Sequence, residues 1–93
     1  MDASRPIDAL NNARHKRVMV ELKNGKRYIG KLMAFDIHIN TVLDDAEEYT
    51  YKTEKKEVDG KTVAVKSDEM ELNRKLGTIF IRGDTIILVT PQQ

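Results

Sequence analysis

In the run AFDIHINTVL, residues 34–43, Asp36, His38 and Asn40 place a carboxylate, an imidazole and a carboxamide at alternate positions, separated by Ile37 and Ile39. In a β-strand those three side chains would leave one face and Phe35, Ile37 and Ile39 the other. Such a trio could ligate a metal, belong to a catalytic device, or present an edge to a planar polar ligand. A transition metal wants three or four convergent ligands, and Asp36 and His38 supply two, the remaining histidine being His15. A nucleophilic triad needs an activated Ser, Cys or Thr beside a base. The chain has no cysteine, and its serines, Ser4 and Ser67, fall in expected terminal and loop regions. A small nuclease built on Asp36, His38 and Asp84 stays open.

A second constellation favours recognition. In IFIRGDTIIL, Arg82, Gly83 and Asp84 sit at an expected tight turn between two apolar strands, which joins a flat guanidinium, a glycine and a carboxylate at one spot. RNA-binding proteins hold an unstacked base against flat side chains and read its Watson-Crick edge with an amide-like group. His38 and Arg82 are flat, Asn40 can read, and Asp36 and Asp84 can fix their neighbours.

The elements that must position these residues follow from pattern. In SRPIDALNNAR, Ser4 is a candidate N-cap, Pro6 stands near the first helical position and Asp8 in the first turn, with Ile7, Leu10 and Ala13 on one stripe; this predicts a short helix. Val18, Val20 and Leu22 then share the face of a first strand, and Asn24-Gly25 is the favoured dipeptide for a two-residue hairpin turn. Gly30, inside the second strand, marks a bulge, a bend or a close backbone approach. A third strand is expected from near Ile39 and grows polar; Asp59-Gly60 signals another hairpin. Leu76, Ile79 and Ile81 mark a buried fourth strand with Gly77 as a bend, and DTIILVT a fifth, ended by Pro91. One helix and five strands joined by short turns describe a small, strongly bent antiparallel sheet closing on itself, as in an SH3-like barrel or an OB-fold.

With 93 residues, no Trp and 5% aromatic content, the chain has material for one modest core, so association is expected to bury more surface. The two apolar terminal strands would offer edges for that pairing, with another copy as the simplest partner. The absence of cysteine fits a reducing compartment. No apolar run approaches the roughly 20 residues of a membrane span, and the N-terminus lacks a signal-peptide core. A soluble, cytoplasmic protein without membrane contact is expected. Net charge is only +1, yet seven Lys or Arg against the single acid Glu21 lie between Arg14 and Lys31, followed by the acidic DDAEE at 44–48. Faces of opposite potential follow.

The stretch RVMVELKNGKRYIGKLMAFDIHINTVLDDAEE resembles the first sequence motif of the Sm and Sm-like (LSm) family, and KLGTIFIRGDTIILVTP the second. Among family members the chain is most similar to archaeal Sm-like proteins. The resemblance implies a mainly β fold, with a short N-terminal helix before a five-stranded, strongly bent antiparallel SH3-like barrel. One Sm-like domain would then span 1–93, with the helix region at 1–15, the motifs at 16–48 and 75–91, and an extended, charged hairpin at 49–74. It further implies a homo-oligomeric ring, a heptamer or else a hexamer, formed by pairing the fourth strand of one copy with the fifth of the next. Such a ring binds uridine-rich single-stranded RNA at its pore. From the residues themselves, the missing nucleophile and sparse metal ligands lead us to expect no catalysis, no metal and no cofactor. Carried over residue by residue, His38 and Arg82 sandwich the base, Asn40 reads it, and Asp36 and Asp84, beside Gly83, orient neighbours or touch the ribose. Phe35 and Arg5 would form a weaker contact on the helix face. A protein scaffold without RNA, or the nuclease, are the other classes.

Overall fold

Period-2 alternation places Val18, Val20 and Leu22 on the inner face of β1 (Arg17–Leu22), where all three are buried. They meet Leu32 of β2 (Arg27–Phe35), Leu43 and Ala46 of β3 (Thr41–Val58) and Ile81 of β4 (Lys61–Ile81) in one small core. β5 (Ile86–Pro91) lends Ile86 and Val89 to its margin. A computed structural model of the chain describes residues 5–92. The five strands form one antiparallel sheet in the order β4-β3-β2-β1-β5. β4 and β5 are therefore its two edges.

Helix α1 (Pro6–Ala13) starts with Pro6 at its first turn and Arg5 at the N-cap, without a side-chain cap; the expected cap, Ser4, lies outside the described residues. Arg5 instead pairs with Asp8 at 2.9 Å, and Ala13 packs on the core.

Curvature comes from irregular pairing. The β2–β3 register slips at Ile29/Lys31, around Gly30, and β3–β4 slips on both sides of Ala46, which faces Gly77. Both glycines thus lie where bends were expected. A Cβ on Gly30 would stand 3.0 Å from the Asp44 carbonyl oxygen and 3.2 Å from the Ala46 Cα, so the backbone of β3 approaches β2 where a side chain has no room.

Several expected details differ. The Asn24-Gly25 turn is not a two-residue connection: Gly25 N–H donates to the Leu22 carbonyl and Leu22 N–H to that of Lys26, and of the two turn residues only Gly25 has positive φ (88°). A three-residue loop results, in which the Asn24 side chain accepts from Lys26 N–H. Asp59 and Gly60 do both have positive φ (52° and 76°), as a two-residue type I′ turn requires. They join β3 to the long β4, which runs from Lys61 to Ile81. Leu76 and Ile79 are only half-buried, and β5 begins at Ile86, after a 3-10 turn at Gly83–Thr85. The long hairpin stretches the chain to 54 × 27 × 24 Å.

Candidate nucleic-acid interface

The trio at 36, 38 and 40 does not lie on a strand. β2 ends at Phe35, β3 starts at Thr41 rather than near Ile39, and the five residues between form a turn. Ile39 N–H donates to the Asp36 carbonyl, and Ile39 adopts φ 62°. Strand alternation therefore is not what gathers the polar groups; hydrogen bonding of Asp36 does. One Asp36 carboxylate oxygen accepts the backbone N–H of His38 at 2.9 Å and of Asn40 at 3.1 Å, and the other accepts Asn40 Nδ2 at 3.0 Å. The Asn40 side-chain bond is the largest influence and holds the Asp36 carboxyl below its usual range; desolvation, the next largest, opposes it, and the two backbone donors add to the lowering.

The second loop docks on the first through Gly83. Its N–H donates to Asn40 Oδ1 at 2.8 Å, and a Cβ there would overlap the His38 carbonyl oxygen. Only glycine permits this approach. Arg82 Nη2 pairs with Asp84 Oδ2 at 2.9 Å, and the Thr85 hydroxyl closes the turn onto the Arg82 carbonyl at 2.6 Å. Thr41 does the same for the first loop, donating to the Ile39 carbonyl. Neither threonine was singled out in the sequence, where each reads as an ordinary strand residue.

His38, Asn40, Arg82, Gly83 and Asp84 line one open cleft of about 440 Å³. Asp36 supports it from behind through Asn40. A neighbouring depression of about 570 Å³ shares Asn40 and Arg82 and continues over Asp36, Phe35, Val42 and the exposed Phe80. Phe35 packs against the core, and Arg5 is held by Asp8.

A second polar cluster escaped the sequence reading. Glu48 is fully buried, and its carboxylate accepts from the Tyr28 hydroxyl at 2.7 Å, from Asn73 Nδ2 and from Arg74. Burial, the largest single influence, pushes the Glu48 carboxyl up. The bonds from Tyr28, Asn73 and Arg74, with the Lys26 charge, together overcome it and hold it at about 2. Burial and the Glu48 acceptor push the Tyr28 phenol up to about 12. The visible signal was an acid at position 48 in step with buried neighbours of β3.

A bent five-stranded sheet with two free edges, preceded by a short helix and carrying two interlocked polar loops, defines a small β-barrel of the Sm type. The sequence matches the LSM domain family over residues 8–91. A relative from Methanosarcina barkeri described as snRNP Sm-like is 38% identical over 89 residues, 96% of this chain and 99% of its own length. One from Archaeoglobus fulgidus, described the same way, is 39% identical over 87 residues, 94% of this chain and 90% of its own. Among solved structures, the Pyrococcus abyssi Sm protein in complex with a uridine heptamer matches with TM-score 0.72 at 34% identity, over 96% of this chain and 100% of that one. A heptameric archaeal Sm protein matches with TM-score 0.64 at 28% identity, over 92% and 98%. The chain belongs to the LSM domain family.

Proposed function

We propose that this chain assembles into a homo-oligomeric ring that binds uridine-rich single-stranded RNA through the cleft between its two polar loops. The observation that carries the specificity is the fixed orientation of Asn40. Its side-chain oxygen must face the Gly83 N–H, and its nitrogen the Asp36 carboxylate. One acceptor lone pair and one N–H remain free for a ligand. Uracil offers the complement, N3–H as donor and O4 as acceptor, whereas cytosine reverses both. His38 and Arg82, exposed and flat, flank this edge and supply stacking. Asp84 positions Arg82, and Asp36 positions Asn40. A weaker contact through Phe35 and Arg5 would require Arg5 to leave Asp8.

The ring follows from the two free edges. Pairing β4 of one copy with β5 of the next is a head-to-tail contact, which closes into a ring when the rotation per copy permits. It would also cover Phe80 and Leu88, which are 83% and 40% exposed in the single chain. The heptameric state of the similar archaeal protein makes seven the expected number. We further infer a binding role without catalysis, exercised in the cytoplasm; no helix among the described residues is long and apolar enough to cross a membrane. Titration of short U, C and A oligoribonucleotides tests the reading. U should bind most tightly and stay intact with magnesium, manganese or zinc; equal binding of all three, or cleavage lost on Asp36→Ala, would overturn it.

A further inference from the structure

The turn that joins β1 to β2 touches two places at once. Lys23 N–H donates to the Thr85 carbonyl at 2.8 Å, which fastens the turn to the loop bearing Arg82, Gly83 and Asp84. Two residues on, Gly25 lies against the base of the β3–β4 hairpin, where a Cβ would stand 3.2 Å from Lys66 Nζ. Between turn and hairpin opens a cleft of about 420 Å³, whose walls include Asn24, Lys26, Tyr51, Thr53 and Lys66 and carry no acid. The Tyr51 hydroxyl accepts from Arg27 Nη2 at 3.2 Å, and Arg27 is itself paired with Glu21. Over the ring so anchored, the Lys66 ammonium rests 4.3 Å from the centroid, a cation–π contact that places a charge without neutralising it. Nearby cations do find acids: Lys52 pairs with Glu69, and Arg74 with Glu48. Among the described residues Lys23, Lys26 and Lys66 form no ion pair. Such a cleft attracts an anion.

We propose that this cleft takes a phosphate of single-stranded RNA beyond the uridines held between the two polar loops, so that the chain leaving that site runs over Lys23 to Lys26 and Lys66. The inference rests on the RNA reading and extends it. Continuity favours RNA over any other anion, because the turn that walls this cleft is bonded to the loop that carries Arg82. A phosphodiester also suits the lining. Its charge meets two ammonium groups, and its free oxygens can accept from them, from the Thr53 hydroxyl and from the Asn24 amide. A phosphate contact positions the chain without reading its bases. Two lysines in an open cleft act through water, so the gain is small beside that of filling the uridine clefts, and salt screens it.

The test compares a U heptamer with the same heptamer carrying a short run of cytidines at its 3′ or its 5′ end, by fluorescence anisotropy at low and at high salt. In wild type at least one tail should tighten binding about threefold at low salt and leave it unchanged at high salt. Lys26→Glu and Lys66→Glu should each abolish that gain and lower the salt slope of the tailed RNA by about one, with U heptamer affinity unchanged as evidence of folding. Lys61→Glu makes the same charge change at the hairpin tip, outside the cleft, and should keep the gain. No gain from either tail, a gain that survives Lys26→Glu and Lys66→Glu, or one lost equally in Lys61→Glu overturns the proposal and leaves the uridine cleft standing. Inorganic phosphate bound through Lys26 and Lys66, with no gain from a tail, would make this a site for a free anion and overturn the RNA assignment. Wild type without U preference, yet binding oligo-C through Lys26 and Lys66, would support this cleft and refute the uridine reading.

Discussion

Gly83 meets two demands that no other residue can meet together: its N–H orients Asn40, and its missing side chain admits the His38 carbonyl. Gly83→Ala should push the loops apart, costing about 1–3 kcal/mol of stability by overpacking and abolishing U preference, as read by thermal unfolding and oligo-U titration. Asn40 and Arg82 should then differ in kind. Asn40→Ala removes a bidentate reading worth roughly 1–3 kcal/mol of discrimination, so U and C should bind alike. Arg82→Ala removes a stacking plane and a charge, worth roughly 1–3 kcal/mol per base without choosing among bases. It should weaken all RNAs and flatten the salt dependence. Fluorescence anisotropy at two salt concentrations separates the two patterns. Glu48 predicts acid sensitivity. Its folded pKa, about 2, lies below the ordinary 4.5, so its contribution is present above that ordinary value and lost as pH falls through the folded one. The difference is worth on the order of 3 kcal/mol. Urea unfolding from about pH 6 down to about pH 2 should show this loss, and Glu48→Gln should be less stable at neutral pH and lose much of the slope.

At the scale of elements, the hairpin beyond Lys52 contributes nothing to the core cluster. Excising 53–66 and closing Lys52 to Ser67 through Asn-Gly should leave the unfolding midpoint within a few degrees and oligo-U affinity unchanged, as measured by calorimetry and titration. A large loss of either would show that the ribbon supports the barrel. The first strand was readable because burial on one face imposes period 2 on Val18, Val20 and Leu22. The loop at 36–40 was misread because Ile37 and Ile39 imitate that period, although Ile37 is 80% exposed and Ile39 has positive φ. The loop nevertheless brings His38 and Asn40 into one cleft with Arg82, Gly83 and Asp84. The Asn24-Gly25 dipeptide announced a turn without fixing its length, since a type I turn followed by a left-handed glycine uses the same residues. The burial of Glu48 stayed hidden because its donors come from positions 28, 73 and 74, which only the folded register brings together.

For the whole molecule, the open edges of β4 and β5 and the exposed Phe80 are what the proposed ring would use, and ring closure would repeat the cleft around a common axis. Phe80→Glu should put a charge into the subunit contact and yield monomers by sedimentation, with the single-chain fold retained. Loss of the ring should also cost RNA affinity, since each further uridine then binds without the help of those already held. The length dependence of RNA binding tests ring and cleft together. In anisotropy titrations of labelled oligo-U and oligo-C of increasing length, U affinity should rise steeply with each added nucleotide until the clefts of one ring are filled, then level off. C should stay weak at every length, and Phe80→Glu should remove the rise. Length-independent binding, or a C series as steep as the U series, would contradict a ring of uridine-reading clefts.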